Sequence, residues 1–165
     1  MTKVKPIPAD FHSLTPHITV KDSKKAIEFY KKAFGAKVKS PPLMHDGKVM
    51  HASIMIGDSL LMLADEMWVN KSPETLGTSP IVIHLCVEDV DTVFKRAVDA
   101  GSEVLMPVSD MFWGDRYGRL VDPFGHHWSV ATHIKDLSDE EIAKNKDEAM
   151  AQMSKPKEGC AVKPA

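Results

Sequence analysis

His17-Ile-Thr-Val-Lys-Asp-Ser-Lys-Lys-Ala-Ile27 and His84-Leu-Cys-Val-Glu-Asp-Val-Asp-Thr-Val-Phe94 are two versions of one pattern. His17 matches His84, Val20 matches Val87 and Asp22 matches Asp89, each pair 67 positions apart. Gly35-Ala-Lys-Val38 and Gly101-Ser-Glu-Val104 continue the match at a spacing of 66, one residue shorter. A strand, a turn, a helix and a glycine stop, used twice, would produce this agreement. The period is too long and the copies too few for a solenoid. It predicts a duplicated half-domain.

Working outward, Leu14–Val20 alternates: Leu14, Ile18 and Val20 share one strand face, and Thr15, His17 and Thr19 the other. Asp22 or Ser23 then caps a helix carrying Ala26, Ile27, Phe29, Tyr30, Ala33 and Phe34 and ending at Gly35. Three strands follow, around Val38, over Val49–Ile56, and over Leu60–Ala64 beyond the Gly57-Asp58 turn. In the second half Ile81, Ile83, Leu85 and Val87 oppose Val82, His84 and Cys86, and a helix opened by Asp89 or Asp91 stops at Gly101. Strands are expected near Val104–Met106, Tyr117–Val121 and His127–Thr132. Each half reads β-α-β-β-β, an α+β class. A helix must cover one face of each sheet, so the face bearing Thr15, His17, Val82 and His84 is left to curl around a cavity. The expected organisation is an arm over 1–11, one domain over 12–133 built of modules 12–67 and 78–133, and a C-terminal helix and frayed tail over 134–165. Ser138-Asp-Glu-Glu141 is a capping box for that helix.

The chain has 165 residues, 43% hydrophobic and 27% charged, a balance for one folded domain rather than a disordered one. A net charge of −2 gives no electrostatic reason to expect nucleic acid or an anionic membrane as partner. No apolar stretch is long enough to span a bilayer, and the start, MTKVKPIPAD, lacks the apolar core of a signal peptide. Cys86 and Cys160 make no disulfide framework, so a cytoplasmic location is expected. Motifs for nucleotide phosphates, zinc proteases and serine hydrolases are absent.

Thr15–Gly35, its echo His84-Leu-Cys-Val-Glu-Asp-Val-Asp91, and Leu120-Val-Asp-Pro-Phe-Gly-His-His-Trp128 resemble the vicinal oxygen chelate superfamily of glyoxalases, bleomycin-resistance proteins and dioxygenases. Phe112-Trp-Gly-Asp-Arg-Tyr-Gly118, Asp122-Pro-Phe-Gly125, Trp128 and Ala131-Thr-His133 resemble its PhnB-like branch. The resemblance implies two tandem βαβββ modules whose sheets wrap a small-molecule cavity, in a homodimer. It also places the metal ligands of metal-dependent members at Thr15, Leu61 or Met62, Val82 and Ser129. None of these offers a divalent ion a good ligand, so no cofactor and no ordinary glyoxalase I reaction are expected.

The expected ligand-binding residues are His17, His51, His84, Trp113, Arg116 and Asp65. Arg116 would hold an anionic or carbonyl-bearing group, Trp113 would stack on a ring, and Asp65 would stand at the cavity mouth. Two competing readings stay open. In one, His17, His51 and His84 form a relocated site for zinc, iron, nickel or manganese in a lyase or dioxygenase. In the other, the protein sequesters a drug at a dimer interface, using Trp68, Trp113 and Asp65. For Arg116 a structural pairing with Asp115 or Asp122 is weighed equally, and Asp122–Gly125 is read as a tight turn.

Overall fold

Two aspartates start the helices that organise the chain. Asp22 accepts a hydrogen bond from the Lys25 amide, and Asp89 accepts one from the Thr92 amide, satisfying donors that a helix leaves orphaned at its N-terminus. In the computed structural model, which describes residues 4–153, the first module runs β1 (His17–Val20), α1 (Ser23–Phe34), β2 (Lys37–His45), β3 (Lys48–Ile56) and β4 (Ser59–Asp65). A short helix α2 (Pro73–Leu76) leads to the second, β5 (Val82–Cys86), α3 (Val90–Asp99), β6 (Glu103–Asp110), β7 (Asp115–Val121) and β8 (His127–His133). Helix α4 (Asp139–Met153) follows, opened by the reciprocal Ser138–Glu141 box. Cys160 and the expected frayed tail lie outside the described residues.

The duplication is visible in the pairing. One sheet has the order β1-β4-β3-β2 and the other β5-β8-β7-β6, each with its first strand parallel to its last and antiparallel pairs elsewhere. His17 stands opposite Met62, and His84 stands opposite Ser129, the same place in each copy. Gly35 ends α1 with φ 69°, the left-handed cap the sequence predicts. The Asp122–Gly125 tight turn is also formed, closed by the Gly125 amide on the Asp122 carbonyl.

The helices pack against each other as well as each on its own sheet. Phe29, Tyr30 and Phe34 of α1 meet Phe124 and Trp128 of the second module, with the Phe34 and Trp128 ring centroids 4.6 Å apart. One core therefore serves both modules. Its polar centre is Asp122: Oδ1 accepts from the Phe124 and His126 amides, while Oδ2 accepts from the Tyr30 hydroxyl (2.7 Å) and the Trp128 indole (2.9 Å). A buried carboxylate needs that many donors to offset its desolvation. His126 reaches across to the Thr19 carbonyl and ties the modules a second time.

Candidate functional site

With both helices turned into the common core, each module keeps one sheet face that α1 and α3 do not cover. On the second sheet, residues directly opposite one another share a face. His84, Ser129 and Arg119 form one such row, and Cys86, Ala131 and Tyr117 form the next. The other face belongs to Gly118 and Leu120: a Cβ on Gly118 would lie 2.6 Å from the Phe94 ring of α3. The row is chemically organised. His84 Nδ1 is 2.7 Å from Ser129 Oγ, and the imidazole stacks at 20° on Tyr117 with centroids 6.2 Å apart. Trp113 stands edge-on to Tyr117 at 5.6 Å, its indole N–H donating to Asp115 Oδ2.

The first sheet presents His17, Met62 and Ser53 in one row, with His51 beside them. His51 Nε2 is 3.1 Å from Ser53 Oγ, and its ring meets that of His17 edge-on at 6.0 Å. Partial burial, with the His51 charge added, holds the His17 imidazole below its usual pKa.

A cavity of about 1190 Å³ runs between the modules along the free edge of β5. Its walls are the 12–16 approach to β1, the turn between β3 and β4, Phe34, Trp128, and the first turn of α3. His84 and Cys86 belong both to this cavity and to the helix-free face of the second sheet. His17, His51, Trp113 and Arg116 do not line it.

Several expectations change against this geometry. The three imidazoles of the relocated metal site are not brought together within one chain: His17 and His51 are neighbours, whereas His84 is held by Ser129 and Tyr117 of the other module. No group of three His, Cys, Asp or Glu side chains able to hold a metal occurs among the described residues. Asp65 is not at a cavity mouth. It is buried, and its two oxygens accept the Ser23 and Val49 amides, tying the start of α1 to the start of β3. Arg116 shares the α3 side of β7 with Gly118. Its guanidinium takes both oxygens of Asp91 and one of Asp110, so the structural pairing exists but with other acids than Asp115 or Asp122. Trp68 lies exposed on the loop after β4 with φ 50°. Trp113 does border the helix-free face.

The four positions of the usual metal ligands do not fit a divalent ion. The Thr15 hydroxyl donates to the His12 carbonyl, Met62 and Val82 offer a thioether and an alkyl group, and Ser129 is engaged by His84. Sequence reasoning missed Tyr117 and Arg119, although the buried Leu120 between Arg119 and Val121 was the signal: alternation puts Arg119 on the opposite face.

Comparison with known proteins fits the same fold. Residues 11–130 match the Glyoxalase/Bleomycin resistance protein/Dioxygenase superfamily. The chain belongs to that superfamily. Among its relatives, the uncharacterized protein Rv0887c of Mycobacterium tuberculosis is 42% identical over 156 residues, covering 89% of this chain and 85% of that one. TioX from Micromonospora sp. ML1 superposes with TM-score 0.59 at 22% identity, covering 75% of this chain and 100% of that one. The PhnB protein from Bacillus cereus superposes with TM-score 0.56 at 19% identity, covering 73% and 99%. At those identities the superfamily's fold is what the two structures share with this chain. None of the helices among the described residues is long and apolar enough to cross a membrane.

Proposed function

We propose that this superfamily member is a PhnB-like binder of a small organic molecule, received in the cavity along β5 and on the adjoining face of the second sheet. The observation that carries the reading is the cavity itself, with a mainly apolar lining that His84 and Cys86 of β5 interrupt. PhnB-like membership rests on the Phe112–Gly118 and Asp122–Gly125 segments. The four mismatched donor positions favour binding or chemistry that does not pass through the superfamily's usual metal site.

A homodimer belongs to the same proposal. Val38, Leu43 and Met44 on β2, Val82 on β5 and Val104 and Leu105 on β6 are large apolar side chains left at least 40% exposed by the single chain. A second copy would cover them.

Cys86→Trp tests the cavity, because residue 86 is exposed and the indole would fill the space beside β5 without disturbing the core. A compound that raises the melting temperature of the wild type is expected to lose that effect in the variant. A ligand held at 100 times its Kd stabilises by about 2.7 kcal/mol, enough to read in a thermal-shift assay. Hits that stabilise Cys86→Trp as well as the wild type would place binding elsewhere and overturn the reading.

A further inference from the structure

The chain has three arginines, and two of them have partners within it. Arg96 donates to the Ala33 carbonyl, and Arg116 is held by Asp91 and Asp110. Arg119 makes no hydrogen bond or ion pair among the described residues, and its Nε is buried without a partner. The acids on its own face do not answer it. Asp115 is taken by Trp113 and His133, and Glu103, opposite Val121, forms no ion pair with it. The residue as a whole is only partly buried, so the guanidinium keeps donors that a partner from outside the chain could take.

Its surroundings specify what that partner would be. Arg119 stands directly opposite Ser129, which stands directly opposite His84. Ser129 is buried, so its hydroxyl serves His84 Nδ1 rather than a ligand. When that hydroxyl donates to Nδ1, the proton sits on Nε2, and the imidazole becomes a second donor on the same face as the guanidinium. Tyr117, next to Arg119 on this face, stacks with His84 and is walled by Trp113. A forked cation and a ring N–H suit a planar carboxylate or a phosphonate, and the aromatic wall suits a flat body attached to it.

We propose that Arg119 and His84, with Ser129 setting the tautomer, form an anion subsite. It takes the carboxylate or phosphonate of an organic ligand whose flat body lies along Tyr117 and Trp113. The subsite rests on the reading that this sheet face receives a small molecule, and it names that molecule's charge and shape.

The test uses benzoate, phenylphosphonate and neutral benzamide, titrated into the full chain while the Trp113 indole N–H and the Arg119 amide are followed by NMR. Benzoate or phenylphosphonate should shift both resonances saturably, and whichever binds more tightly tells carboxylate from phosphonate. Benzamide should bind weaker by about tenfold or more, the value of a charge-assisted contact. Arg119→Met should erase that difference without lowering the melting temperature of the ligand-free protein, since Arg119 makes no hydrogen bond or ion pair among the described residues for the variant to lose. Arg119→Lys should keep part of the difference. Equal binding of benzoate and benzamide, unchanged in Arg119→Met, would overturn the anion subsite while leaving the small-molecule reading intact. A saturable response to none of the three would also overturn it. So would an Arg119→Met protein that melts lower and binds benzoate as before, since Arg119 would then be structural.

Discussion

His133 sits between two carboxylates. Asp115 Oδ1 lies 2.8 Å from its Nδ1 and Asp136 Oδ1 lies 3.0 Å from its Nε2, and the two carboxylates hold the imidazole above its ordinary pKa. His17 is displaced the other way by burial and by His51. A raised folded value means that the His133 pairing is fully present below the ordinary 6.5 and is lost as pH rises through the elevated value. For His17 the sign reverses. The folded state prefers the neutral ring, so stability is lost as pH falls below 6.5 towards the depressed folded value. An NMR titration of the histidine ring protons should therefore place His133 above and His17 below the ordinary 6.5. Asp115→Asn should move His133 back towards the ordinary value, and an unmoved His133 would refute the assignment.

At the scale of elements, the most exacting contact lies between β7 and α3. Gly118 has an ordinary backbone conformation, yet Phe94 occupies the place its Cβ would take, so the requirement is for space. Gly118→Ala should cost about 1–3 kcal/mol by overpacking, read as a lower denaturant midpoint with an unchanged slope. If the variant matches the wild type, the close approach of α3 to β7 is not as described.

The elements also show how much the sequence discloses. Its repeated His-x-x-Val-x-Asp pattern gives the two modules, the Asp22 and Asp89 caps and the Gly35 stop, because helix caps and strand alternation are local rules. Strand β2 is less legible: expected around Val38, it runs from Lys37 to His45, an edge strand exposed over nearly its whole length and kinked by register shifts. Such a strand carries little hydrophobic alternation to read. The site is less legible still. Asp65 and Arg116 look like ligand residues because charge beside a cavity strand attracts attention, but their partners are decided by tertiary contacts. Ser23 lies 42 positions from Asp65, and Asp91 lies 25 from Arg116. No local pattern contains those separations.

For the whole molecule, the arrangement that matters is the joining of the two modules through one core. Tyr30 and Asp122 stand 92 positions apart and meet in a buried hydrogen bond, with burial and the neighbouring carboxylate raising the phenol well above its usual pKa. Tyr30→Phe removes one of two side-chain donors to Asp122 Oδ2 and should cost about 1–3 kcal/mol. Calorimetry should still show a single cooperative transition, because Phe124 and Trp128 continue to lock α1 to the second module. Two separated transitions would mean that the shared core does not couple the modules. That shared core is also why the helix-free faces exist at all: each helix has been spent on the centre.

The most direct test of the small-molecule reading is an amide NMR map of this chain with any compound that stabilises it thermally. The account predicts saturable shifts concentrated on His84, Cys86, Tyr117 and Thr132, along β5 and the adjoining face of the second sheet. Shifts confined to the outward residues of α1 or to α4, with β5 and β7 silent, would contradict it.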